Sequence, residues 1–116
     1  MKFWNELEEM KQWESALDKS GKKPVLVFKH STRCSISQMA LDRFERNWKT
    51  GLEKEIEPFY LDLLNHRDIS NEIARSLDVE HQSPQVLLIK NGQCVYSATH
   101  QAIRLEEVMG ALKIEN

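Results

Sequence analysis

The sequence predicts an α/β sandwich: a mixed sheet of about four strands with helices on both faces. Three observations carry the prediction. An unbroken apolar run, Pro24-Val25-Leu26-Val27-Phe28, stands between two segments of helical periodicity. A second short β-rich segment, Phe59-Tyr60-Leu61-Asp62-Leu63, follows the second helix. Further on, Asn91-Gly92 joins two apolar runs, and that dipeptide is the strongest short hairpin signal a sequence carries.

Taken in order, Leu7, Met10, Trp13, Ala16 and Leu17 recur at three and four residues, the stripe of an amphipathic helix ending at Ser20-Gly21. The segment 24–30 lacks alternation, so it reads as a central strand covered on both sides. From Cys34, the residues Ile36, Met39, Ala40, Phe44 and Trp48 form a second helical stripe that closes near Thr50-Gly51. The strand after Pro58 leads to a third helix carrying Ile69, Ile73, Ala74 and Leu77, with Asn65 and Asp68 as candidate caps. Val86–Ile89 and Cys94–Ser97 are the hairpin strands, and Ile103, Leu105, Val108, Met109 and Leu112 line a closing helix. A βαβ unit, a helix, an antiparallel hairpin and a last helix make a thioredoxin-like arrangement in one domain, residues 1–116. Trp4, Trp13 and Trp48 lie on or near the apolar stripes and are expected in the core.

Composition narrows the function classes. A chain of 116 residues with 29% charged side chains and a net charge of -2 offers no basic stripe for phosphate neutralisation, so nucleic acid is not an expected partner. No apolar stretch approaches the roughly 20 residues that span a bilayer, and the first residues lack a secretory h-region. The expectation is a cytoplasmic protein with no membrane partner. Two cysteines sixty positions apart in a reducing compartment do not make a disulfide scaffold. With four histidines at unrelated spacing they suggest no metal site.

The chemistry centres on Cys34. It follows the central strand and a polar bend, Lys29-His30-Ser31-Thr32-Arg33, and it opens a helix three residues ahead of Ser37. A helix N-terminus presents unpaired N–H groups and the positive end of the dipole, which favours thiolate over thiol. Cys34 therefore reads as a nucleophile, the alternative being a buried small hydrophobe. In this topology the third strand runs opposite to the first, so Ser83-Pro84 comes close to Cys34. Reversal at Asn91-Gly92 brings Thr99-His100 to the same end. Cys94, beside the turn, is expected on the order of 20 Å from Cys34 and hence not to resolve a disulfide with it. Lys29 ends a buried strand, so its ammonium is expected to emerge at the rim. His30, His81 and His100 are either solvated loop-end side chains or lining of the thiol pocket, with His100 favoured for the rim.

The strings Lys29-His30-Ser31-Thr32-Arg33-Cys34-Ser35-Ile36-Ser37, Ser70-Asn71-Glu72-Ile73-Ala74, His81-Gln82-Ser83-Pro84-Gln85-Val86 and Thr99-His100 together resemble the monothiol bacilliredoxin family over nearly the whole chain. Ser35 stands where members often carry proline. The resemblance implies a thiol-disulfide oxidoreductase that removes bacillithiol from mixed disulfides on cytosolic proteins. It implies Cys34 as the attacking thiol, Pro84 as a cis-proline and bacillithiol as co-substrate, with no tightly bound cofactor. Ser37 can donate a hydrogen bond to the thiolate or, equally, bond local backbone as a first-turn serine, but it cannot form a disulfide, so the resolving thiol is expected from outside. The candidate catalytic pair is thus Cys34 and Ser37, and the candidate substrate-binding residues are Arg33, Ser83, Pro84, Thr99 and His100. Arg33 would suit the carboxylates of bacillithiol's malate portion. Two other readings stand beside this one: an interaction or redox-sensing module without turnover, and iron-sulfur ligation by Cys34 with an external thiol. Ser35, at the position where iron-sulfur-binding relatives of the fold carry glycine, argues against the latter.

Overall fold

The structure, a computed structural model, describes residues 3–113. Five strands form one sheet: β1 (Asn5–Glu6), β2 (Val25–His30), β3 (Glu57–Asp62), β4 (Gln85–Lys90) and β5 (Gln93–Thr99). Their spatial order is β1-β3-β2-β4-β5, with β1, β3 and β2 parallel and β4 and β5 antiparallel. Helices α1 (Met10–Lys19) and α3 (Arg67–Leu77) cover one face. Helices α2 (Ser35–Asn47) and α4 (Leu105–Leu112) cover the other. This is the thioredoxin-like fold the periodicities predict, with one strand more than expected. The sequence signal missed β1 because two residues cannot show an alternation. Leu7, expected on the first helix, instead continues that strand: its N–H donates to Tyr60 O at 2.9 Å and its side chain is buried.

All six residues of β2 are buried, as a strand between two helical layers requires. Leu26 and Phe28 enter the core under α2 and α4, while Val25 and Val27 enter the core under α1 and α3. Pro58 lies inside β3 rather than ahead of it. The N–H groups of Glu57 and Leu63 donate to Pro24 O and His30 O across the β2 side. By alternation the Pro58 nitrogen faces away from β2, beyond the reach of the two-residue β1, so its missing N–H breaks no ladder bond. Asn65 and Asp68 do not cap α3: the N-cap position is His66, and the Asn65 amide donates to Asp62 Oδ2 at 2.7 Å instead. The hairpin turn forms with positive φ at both Asn91 (53°) and Gly92 (75°), the conformation an Asn-Gly pair tolerates. Trp13 is fully buried, whereas Trp4 and Trp48 pack half-buried against the α2 side of the core.

Candidate active site

Cys34 is the N-cap of α2, in extended backbone, and is half-buried with its thiol free. Its own N–H donates to Ser31 O at 3.1 Å and its carbonyl accepts from Gln38 N–H at 3.0 Å. The bend and the first helical turn are thereby locked on either side of the sulfur. On the first turns of the helix that follows, two apolar side chains face solvent: Ile36 is 55% exposed and Met39 is 65% exposed.

Ser37 is fully buried beneath this turn. Its Oγ accepts the Ser31 N–H at 3.0 Å and lies 2.7 Å from His30 Nδ1. Burial holds the His30 imidazole below its ordinary pKa, against the opposing pull of Asp62, Glu45 and Asp42. With one lone pair given to the Ser31 N–H, the hydroxyl keeps a proton and a second lone pair, so Ser37 Oγ and His30 Nδ1 share one hydrogen bond in either ring tautomer. The Ser37 hydroxyl thus bonds both the backbone and a side chain of the bend that carries Cys34. His30 is accordingly not a solvated loop-end side chain. It closes the underside of the site, 5.8 Å from the Tyr60 ring centroid.

The rim assembles as the topology predicts. Ser83-Pro84 is a cis peptide bond immediately before β4, and His100 N–H donates to Pro84 O at 3.2 Å. Gln85 pairs with Thr99 on one side and with Lys29 on the other, so the ends of β2, β4 and β5 lie abreast. Thr99 is half-buried; His100 is exposed at φ 55°, and its carbonyl faces the Arg43 guanidinium. Arg33 is exposed on the bend. Two polar atoms near this end are buried without a partner among the described residues: Ser83 Oγ and Asp62 Oδ1.

Lys29 departs from expectation. Its ammonium does not emerge at the rim but is 0% exposed, on the same face as Val25 and Val27 by strand alternation. Nζ donates to Ser70 O at 3.1 Å and lies 3.3 Å from His81 Nδ1, which also lies 3.2 Å from Ser70 Oγ. Burial pushes the Lys29 pKa down to about 8. The sequence signal was available: a lysine in phase with two core valines, on a strand without alternation, must bury its stem. Cys94 pairs with Ile89 beside the turn, at the opposite end of the sheet from Thr99. Half-buried, with Sγ 3.3 Å from Tyr96 O and a pKa raised by burial, it is a packed strand thiol.

A free thiol capping the helix that follows a central strand, with a cis-proline bond at the start of the neighbouring antiparallel strand, defines a thioredoxin-fold thiol-disulfide oxidoreductase. The comparisons agree. The sequence matches the family model of the monothiol bacilliredoxin BrxC over residues 5–108. A solved protein with a thioredoxin fold is 32% identical, with a TM-score of 0.79 over 94% of this chain and 93% of its own. The fold alone is shared with the thioredoxin of Malassezia sympodialis (17% identity, TM-score 0.73, covering 94% of this chain and 87% of that one). It is shared likewise with thioredoxin O2 of Arabidopsis thaliana (19% identity, TM-score 0.72, covering 97% and 96%). The chain belongs to the monothiol bacilliredoxin family. No helix among the described residues is long and apolar enough to cross a membrane.

Proposed function

We propose that Cys34 removes bacillithiol from mixed disulfides on cytosolic proteins and is itself regenerated by a second, external bacillithiol. The observation that carries this is the half-exposed thiol of Cys34 at the N-terminus of α2, with the other cysteine at the far end of the sheet. In the first step Cys34 Sγ, as thiolate, attacks the bacillithiol sulfur. The mixed disulfide breaks, the client sulfur leaves and takes a proton from solvent, and Cys34 carries bacillithiol. In the second step a bacillithiol thiolate attacks that sulfur, giving bacillithiol disulfide and returning the Cys34 thiolate. Ser37, as an alcohol already bonded to His30, supports the turn and leaves resolution to the external thiol. The backbone at Ser83-Pro84 and Thr99-His100, with the Arg33 cation, forms the rim on which the bacillithiol moiety and client chain would rest.

The test is mass spectrometry after exposure to bacillithiol disulfide. A single adduct at Cys34, removed by free bacillithiol, is the expected result; an adduct confined to Cys94, or one that free bacillithiol leaves in place, overturns the reading. The exposed Ile36 and Met39, on the helix that Cys34 caps, suit a protein client more than a small thiol. A Met39→Glu variant is therefore expected to raise KM for a bacillithiolated protein about tenfold, the cost of about 1.4 kcal/mol of lost apolar contact. Its rate with bacillithiol disulfide should stay as it was, a split that steady-state kinetics reads directly.

A further inference from the structure

Each of three segments singled out in the sequence sends one side chain to a single point on the α3 side of the sheet. Lys29 comes from the end of β2, Ser70 from the first turn of α3 and His81 from the loop ahead of Pro84. Loop 80–84 is also folded on itself by Gln85, whose amide donates to Glu80 O at 3.1 Å and accepts from Gln82 N–H at 3.3 Å. Those bonds hold the loop to the start of β4, and His100 N–H holds the Pro84 carbonyl, but none of them reaches β2 or α3. The His81 bonds do, because they reach the strand that ends at the nucleophile and the helix packed beneath it.

We propose that Lys29, Ser70 and His81 are positioning residues for thiol transfer: they fasten loop 80–84 to β2 and α3 and so set the Ser83-Pro84 rim against Cys34. This rests on the reading of that rim as the substrate-binding backbone. An ammonium has hydrogens to give and no lone pair, so Lys29 is the donor and His81 Nδ1 the acceptor. The fastening therefore requires His81 to be unprotonated at Nδ1, with its proton on Nε2. Protonating the ring removes the acceptor and sets two cations 3.3 Å apart. Burial, and after it the cations Lys29 from β2 and Arg67 from α3, hold the His81 pKa below the ordinary imidazole value. No carboxylate lies within ion-pair distance of Lys29 among the described residues to offset this. The cluster thus releases the loop on the acid side of neutrality.

The experiment compares the parent with His81→Asn and His81→Ala, sites at an exposed residue whose replacement leaves the core untouched. Transfer from a bacillithiolated peptide is measured from about pH 5 to about pH 8, with each rate divided by the thiolate fraction read from ultraviolet absorbance. The parent should lose normalised rate at the acid end. His81→Asn, whose Oδ1 still accepts from Lys29 and does not titrate, should keep the neutral rate and lose the acid fall. His81→Ala should be slower by about tenfold throughout, chiefly through KM, as a misplaced rim predicts. Identical normalised profiles in all three proteins overturn the proposal, as does an Asn variant as impaired as the Ala variant. Independently of activity, nitrogen NMR of the His81 ring at neutral pH should show Nδ1 bare, and a proton found there overturns it as well. A parent that transfers no bacillithiol counts against the proposed function, and the ring NMR then decides this inference alone.

Discussion

A Cys34→Ser variant is expected to show no thiol transfer above uncatalysed exchange, with neither an adduct from bacillithiol disulfide nor turnover of a bacillithiolated client. The reason is covalent before it is electrostatic: an alcohol oxygen at the N-cap of α2 cannot take up the bacillithiol sulfur as a disulfide. The fold should persist, because Cys34 holds the bend through its backbone N–H and carbonyl, which serine retains. Serine is also a favoured N-cap residue, so the melting temperature should match the parent's or exceed it. The companion variant, Cys94→Ser, should keep transfer, since that thiol packs beside the hairpin turn at the opposite end of the sheet. Turnover that survives in the Cys34 variant and vanishes in the Cys94 variant would reverse the assignment.

The second large effect concerns stability. Lys29 is buried as an ammonium with a backbone carbonyl and an imidazole for partners and no counter-ion among the described residues. Its pKa is lowered from 10.5 to about 8, so below about pH 8 the lysine is charged in both folded and unfolded chains, and the folded state bears the cost of burying that charge. Above about pH 8 the folded protein gives up the proton while the unfolded chain keeps it. The unfolded state then binds more protons, and stability rises with pH through that window, by no more than about 3 kcal/mol in all. Urea unfolding between about pH 7 and pH 9.5, short of the tyrosine range, should show the rise. Lys29→Met should flatten it and at neutral pH should be more stable than the parent by about 1–3 kcal/mol, as when buried charges are replaced by apolar groups of similar volume. A Met variant that is less stable at neutral pH, with the parent's slope unchanged, would show that the ammonium is no burden. By the positioning argument above, the stabilised variant should transfer thiol more slowly, which makes Lys29 a residue held at a cost in stability for the sake of the rim.

His30 and Ser37 illustrate how far local reasoning reaches. The sequence places Ser37 three residues past the nucleophile, on the first turn of α2, and the structure finds it there. Spacing along one helix does not reveal that a histidine at the end of β2 lies 2.7 Å from the hydroxyl and shares a hydrogen bond with it. That contact depends on how the bend between strand and helix folds back, a choice made by burial of His30 under Tyr60 and α2. Lys29 and His81 are a stronger instance: fifty-two residues apart, they meet through the antiparallel pairing that sets Gln85 beside Lys29. The strand β1 escaped notice because pairing with β3, not any periodicity of its own, makes it a strand.

What the sequence by itself determined is the set of elements and the end of the sheet where they converge. Apolar period, the Asn91-Gly92 turn and the strand-to-helix step at Cys34 are local features, and local features survive translation into structure. Tertiary structure alone decided which polar side chains are spent on one another: Ser37 on His30, Lys29 on Ser70 and His81. A polar group inside a fold takes the nearest partner that packing supplies, because leaving it unpaired costs more than any preference written in its own neighbourhood of the chain.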